Sequence, residues 1–185
     1  MNKDTYVQMT DFFKARPRAA FALNAANTAI TDAIYIAYPC LIAALFIGEG
    51  WLGALGTLVA GGEVAWPIGG NLLRALLVPL ISFILVTIAR RTLNAPRPYE
   101  TFGTEPVVPK NTTGSSFPSR HAFSIFVIGM TFVAACPIAW AGPVILCLGV
   151  ALATLRVLMG VHYPRDVVAG ALCGIAAGLI GFWTF

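Results

Sequence analysis

The sequence predicts an all-α, polytopic membrane bundle of about six transmembrane helices, with a polar site gathered at one membrane face. Three observations predict it. Apolar residues make up 58% of the 185-residue chain and charged residues only 11%, against about 25% charged in a soluble domain, which leaves too little polar material to wet a globular surface. The apolar residues fall in blocks close to the ~20 residues a helix needs to cross a bilayer. Beyond the N-terminal segment, the charges and both histidines collect at block ends, where placing a charge is costly and points to use.

The length suits one domain, residues 1–185. Residues 1–20 mix Lys14, Arg16 and Arg18 with Phe12 and Phe13, as an interfacial helix or a cytoplasmic tail does. They are too polar and too mixed in charge for a cleavable signal. A first span is expected over 27–47, ending at Gly48-Glu49-Gly50. The second, 51–66, is short and carries Gly61, Gly62 and Glu63, which suits a re-entrant or tilted helix as well as a crossing. The third runs over 72–89 and stops at Arg90-Arg91.

Residues 92–119 are expected to form an extramembrane loop, because Pro96, Pro98, Pro106, Pro109 and Pro118 forbid a continuous helix. The fourth span covers 119–135 and is closed by Pro137, the fifth covers 141–159, and the sixth starts near Pro164. Pro118 and Pro164 read as first-turn prolines of the fourth and sixth helices. Cys40, Cys136, Cys147 and Cys173 show no metal or disulfide spacing and read as small buried hydrophobes. The net charge of +4 is spread along the chain without a basic run or basic–aromatic interleaving, which excludes a nucleic-acid partner.

With six crossings, the third helix ends, the fourth starts, the fifth ends and the sixth starts on one face. Three clusters thereby converge: Arg90 to Arg97-Pro98, Pro118-Ser119-Arg120-His121, and Arg156 through His162 to Asp166. Arg90, Arg97 and Arg156, with Arg120 as a possible fourth, bring guanidinium forks that match phosphate oxygens. The N-termini of the fourth and sixth helices aim N–H groups at the same place, and Ser119 adds a hydroxyl. A neutral imidazole can attack phosphorus. His162 and Asp166, four residues apart across a helix start, allow the carboxylate to accept the ring N–H. His121 lacks such a partner and suits proton donation to a leaving group.

Each piece has a plainer counterpart. A single Arg at a helix end is more often an interfacial anchor, and Arg74, Arg91 and Arg165 are left in that class. Asp32 suits either an intramembrane function or a partnership with Thr28 or Thr31. The coincidence of three clusters on one face is what outweighs these readings.

The pattern Arg90-x6-Arg97-Pro98, Pro118-Ser119-Arg120-His121, Arg156-x5-His162-x3-Asp166 resembles the three-part signature of the type 2 phosphatidic acid phosphatases. That superfamily also holds vanadium haloperoxidases and glucose-6-phosphatase. The signature spans 77 residues, Arg90 to Asp166. The resemblance implies that His162 forms a phosphohistidine, Asp166 supports it and His121 is the general acid. Arg90, Arg97, Arg156, Ser119 and the backbone after it would bind phosphate. It implies neither metal nor cofactor. Three departures stand out: Arg90 where the family usually has Lys, Arg120 where it has Gly, and Leu155 where it has Ser.

The implied substrate is a lipid phosphate or diphosphate in the bilayer. Small bacterial members resemble undecaprenyl-diphosphate phosphatases, with phosphatidylglycerophosphate or phosphatidic acid phosphatase as the alternative. A non-catalytic lipid-binding or lipid-transport protein is the alternative of another class. If the N-terminal tail lies opposite the site and the site's own arginines are discounted, short-loop charges place both termini in the cytoplasm. The protein is then a multi-pass inner (plasma) membrane protein with an active site facing the periplasm or exterior.

Overall fold

In a computed structural model, residues 1–48 and 70–184 are described, and all regular elements among them are helical. They are α1 (Lys3–Lys14), α2 (Pro17–Leu45), α3 (Gly70–Leu93), α4 (Pro98–Phe102), α5 (Arg120–Ala135), α6 (Ala141–Leu158) and α7 (Pro164–Trp183). The expected second span, 51–66, lies outside the described residues, as do Glu49 and Glu63.

Four described helical runs are long and apolar enough to cross a membrane: Pro17–Gly48, Gly70–Phe102, Ala141–Leu158 and Pro164–Trp183. A count of six is not reached among the described residues. At 16 residues α5 falls short of the ~20 needed for a full crossing, and it is the most enclosed helix, packing mainly on α7 and α6. Aliphatic and aromatic side chains such as Leu80, Leu85, Val150, Leu172 and Ile180 face outward, where lipid tails would cover them. Cys40, Cys147 and Cys173 share these outer faces and Cys136 is half-buried, so the expectation of buried cysteines is corrected: a small apolar side chain is equally at home against lipid.

A glycine stripe sets the α5–α7 contact. Gly170, Gly174 and Gly178 recur every four residues on one face of α7. A Cβ on Gly170 would stand 2.5 Å from the Ser119 carbonyl oxygen, one on Gly174 2.6 Å from that of Phe123, and one on Gly178 would meet Met130. Small residues at this spacing let two backbones approach closely where no hydrophobic drive separates lipid from protein. The approach brings the starts of α5 and α7 together, and the Ser119 N–H donates to the Asp166 carbonyl at 2.8 Å.

Several expected boundaries shift. α2 begins ten residues before Asn27, because Pro17 sits at its first turn. α3 continues through Arg90-Arg91 to Leu93, since basic residues are favourable in a last helical turn. Pro98 opens the short helix α4 inside the expected loop, again as a first-turn proline. Ser119, not Pro118, is the N-cap of α5, whereas Pro164 opens α7 as expected.

The larger correction concerns α1. Tyr6 is fully buried, donates its hydroxyl to the Gly160 carbonyl at 3.2 Å and stacks against Phe102 at 5.2 Å. Burial, followed by Tyr99 and Tyr163, pushes its phenol up to about 12, so it remains a donor. Thr10 packs on Gly160 as well, whose φ of +73° and crowded Cα leave no room for a side chain. The N-terminal helix therefore lies on the same face as His162, two residues beyond Gly160. The expectation that both termini share the opposite face is overturned, because the buried face of α1 packs on the Gly160 turn.

Candidate active site

The third cluster is built where α6 ends and α7 begins. Arg156 lies in the last turn of α6 with 5% of its surface exposed, and His162 lies in the link with 3%. Asp166, in the first turn of α7, is fully buried. His162 Nδ1 is 3.7 Å from Asp166 Oδ2, an ion-pair distance rather than a hydrogen bond. The same oxygen accepts the Ser116 hydroxyl at 2.5 Å and the Tyr163 N–H at 3.1 Å. Ser116 Oγ also lies 3.4 Å from His162 Nδ1, so the hydroxyl bridges carboxylate and imidazole. With Nδ1 turned to this pair, Nε2 is the nitrogen left for chemistry.

Burial pushes His162 down to about 4, against the upward pull of Asp166 and reinforced by Arg97 and Arg156. The ring is therefore neutral near pH 7. A neutral ring keeps its lone pair.

Arg97 is held from two sides. Its Nε donates to the Gly114 carbonyl at 3.1 Å and its Nη1 to the Val161 carbonyl at 3.4 Å, tying the first cluster to the residue before His162. Glu100 fixes the backbone around it, accepting from the Arg97 N–H at 2.7 Å and the Gly114 N–H at 3.0 Å. Arg90 is 6% exposed, and its two terminal nitrogens donate to the Pro118 and Ser115 carbonyls. Arg90 thus braces the loop that carries the second cluster. Arg97 and Arg156 lie within electrostatic range of His162, and Arg90 lies within range of Asp166.

The second cluster enters from α5. Ser119 is fully buried, and its hydroxyl and the Arg156 Nε are buried polar atoms without a hydrogen-bond partner among the described residues. Such groups are costly to bury unless something polar meets them. His121 lies within electrostatic range of Arg156, His162, Arg120 and Lys110. Arg120 is exposed and sits over the Phe83 ring at 5.9 Å. All eight residues singled out from the sequence therefore gather at one end of the bundle. The arrangement is a positively charged cluster beside a neutral imidazole.

A family model described as PAP2 superfamily matches residues 71–185. The chain belongs to the PAP2 superfamily. Among relatives, the Bacitracin transport permease protein BcrC of Bacillus licheniformis is 36% identical over 110 residues, 57% of this chain and 53% of that protein. YbjG of Escherichia coli strain K12, named as a candidate undecaprenyl-diphosphatase, is 38% identical over 60 residues, 32% of this chain and 30% of that protein. The chain thus spans about half or less of the curated relatives it matches. The crystal structure of Aquifex aeolicus LpxE superposes with a TM-score of 0.65 at 21% identity, covering 97% of this chain and 93% of that one. That of a transmembrane PAP2 type phosphatidylglycerolphosphate phosphatase from Bacillus subtilis gives 0.60 at 16% identity, covering 96% and 83%. These two likenesses show the PAP2 fold.

Three residues that approach this cluster were missed from the sequence. Ser116 stands three before Ser119 in a serine- and proline-rich loop, where nothing distinguishes it from Ser115. Lys110 comes within range of Arg97, Arg156 and His121 from the same loop; partial burial first, then Arg156 and Arg97, lower its ammonium from the ordinary value. Arg165, read as an anchor, places Nε 3.6 Å from Asp166 Oδ1 and lies over the Tyr163 ring. Adjacency to Asp166 was the one available signal for it.

Proposed function

We propose that the protein is a membrane lipid phosphatase that removes a phosphoryl group from a lipid phosphate or diphosphate through a phosphohistidine. The observation that carries this is the neutral His162, its Nδ1 turned to Asp166 and Ser116, set beside the unpartnered Ser119 hydroxyl and Arg156 Nε. In the first step His162 Nε2 forms a bond to phosphorus while the P–O bond to the lipid breaks. The leaving oxygen keeps the electron pair and takes a proton from His121 where it needs one. Asp166 stabilises the imidazolium that develops. Water then attacks phosphorus and the N–P bond breaks to release inorganic phosphate and restore His162; the proton of the water passes to His121 where His121 has given its own to the leaving oxygen, and otherwise to solvent. Arg97, Arg156 and Ser119 hold the phosphoryl oxygens, with Arg90 adding positive charge, so neutralisation does not require a cation cofactor.

Undecaprenyl diphosphate, cleaved to the monophosphate in carrier recycling, is the favoured substrate, supported by the name of the Escherichia coli relative. A phosphatidylglycerophosphate or phosphatidate substrate is the alternative, supported by the name of the Bacillus subtilis structure. The transport reading has the name of the Bacillus licheniformis relative behind it.

An outward-facing site loses its charge argument once α1 lies on the site face. Lys3, Lys14, Arg16, Arg18 and Arg91 then stand on that face as basic residues outside the site, and Arg74, at the start of α3, stands alone on the other. Lys/Arg excess marks the cytoplasmic side, so the charge pattern favours a cytoplasmic site in a multi-pass protein.

The test is phosphate release by purified protein in EDTA from polyprenyl diphosphate, polyprenyl phosphate, phosphatidylglycerophosphate and phosphatidate. Metal-free release that His162→Ala abolishes is expected. Release that depends on added magnesium, or that survives His162→Ala, would overturn the phosphohistidine route; no release from any lipid would favour the transport reading.

A further inference from the structure

A cavity of about 310 Å³ opens beside His121 between α2, α3, α5 and α6. On α5 its lining steps from Arg120 and His121 through Ser124 to Ile128, one turn at a time. Residues so spaced share one helix face, and the lining therefore grades from charged to aliphatic with depth into the bundle. Thr31 and Tyr35 of α2 add hydroxyls from the other wall, and among the described residues no carboxylate lines it.

Arg120 gives the mouth its charge. Its guanidinium lies over Phe83 and makes no hydrogen bond or ion pair among the described residues. Arg90 and Arg97 are instead committed to backbone carbonyls. His121 borders both spaces: it lines the cavity and lies within range of His162 and Arg156.

We propose that the cavity is the leaving-group subsite and that Arg120, with Thr31 and Tyr35, selects a leaving group that is itself a phosphate on an apolar chain. This rests on the phosphatase reading and narrows its substrate class to diphosphate esters of long hydrocarbon alcohols. When the bridging P–O bond breaks, the oxygen leaves with its electron pair as a lipid monophosphate, whose charge meets the Arg120 guanidinium while the chain follows Ser124 toward Ile128. The family's usual glycine at this position offers no such charge. Thr31 and Tyr35 lie outside the matched residues 71–185.

The experiment compares kcat/KM for a polyprenyl diphosphate and the monophosphate of the same chain, using full-length protein and its Arg120→Gln and Tyr35→Phe variants. Arg120 is exposed, so folding is expected to survive, and monodisperse elution in detergent checks it. We expect Arg120→Gln to lower the diphosphate-to-monophosphate ratio at least tenfold and Tyr35→Phe to lower it severalfold. The product monophosphate should inhibit diphosphate turnover at least tenfold less tightly in Arg120→Gln. An equal loss on both substrates would place Arg120 on the transferred phosphate and overturn the proposal, and so would no change in the ratio. If wild-type protein hydrolyses only the monophosphate, the phosphatase reading stands and the subsite fails; if it hydrolyses neither, both fail.

Discussion

Ser116 Oγ lies 2.5 Å from Asp166 Oδ2, and neither side chain is exposed to solvent. The hydroxyl bridges a buried carboxylate and the ring of His162, so it helps to set the direction in which that ring points. The Ser116 N–H is itself anchored on the Ala95 carbonyl at 2.8 Å, which ties the pair to the start of the Arg97 loop.

Ser116→Ala should lower kcat about ten- to hundredfold, since a hydrogen bond to a charged group contributes roughly 1.5–3 kcal/mol and ~1.4 kcal/mol is a factor of ten in rate. Ser116→Thr should recover part of the loss. Steady-state turnover in detergent checks this, and an unchanged kcat would show that Tyr163 N–H alone holds Asp166.

His121→Ala should damage turnover of a lipid monophosphate far more than that of a lipid diphosphate. An alkoxide needs a proton to leave, whereas a lipid monophosphate, with a second pKa near ~6, does not. Parallel measurements on the two lipids decide it, and equal losses would remove His121 as the leaving-group acid.

His162 should titrate near 4, well below the ordinary value of about 6.5. The chain has two histidines, so labelled-imidazole NMR on His121→Gln observes His162 alone. Arg97→Gln removes a charge that lowers the value and should move the titration up; Asp166→Asn removes a charge that raises it and should move it down. Between about 6.5 and 4 the unfolded chain binds a proton that the folded one refuses, so stability should fall as pH falls through that window. A midpoint at or above 6.5 would contradict the buried, neutral ring.

Gly174→Leu should separate α5 from α7, because its Cβ would meet the Phe123 carbonyl at 2.6 Å. Overpacking costs about 1–3 kcal/mol, and here it also moves Ser119 away from Asp166. Thermal unfolding and turnover should both suffer, whereas Gly70→Ala, with no described residue within 4 Å of its Cβ, should leave them unaltered. A Gly174→Leu protein with normal stability and rate would remove the stripe from the argument.

Asn111, exposed on the site-face loop, reports orientation. With the four native cysteines replaced, Asn111→Cys should react with a membrane-impermeant maleimide only after cells are opened. Labelling of intact cells would place the site outside.

Much of the site was legible because its residues carry unusual side chains in local patterns. His162 and Asp166 are one helical turn apart, Ser119 to His121 precede an apolar run, and Arg97 precedes a proline. Their convergence also followed from the order of the last four helices, since it depends only on where those helices start and stop. Ser116 and Lys110 were not legible, because the path of a proline-rich loop is set by contacts with Arg90, Arg97 and Glu100 rather than by any period in the loop itself. The N-terminal helix was misplaced because amphipathic character shows that a helix has a buried face and not which surface covers it.

By itself the sequence determined the class of structure, the extents of α5, α6 and α7 and the candidates for the reactive groups, since hydrophobic periodicity and side-chain chemistry are local properties. Tertiary structure alone decided which donors remain free for an anion, which face α1 occupies and which cavity His121 borders. Those depend on close backbone approach, as at Gly170 and Gly174, and on how buried polar groups settle among competing partners that are distant in the chain.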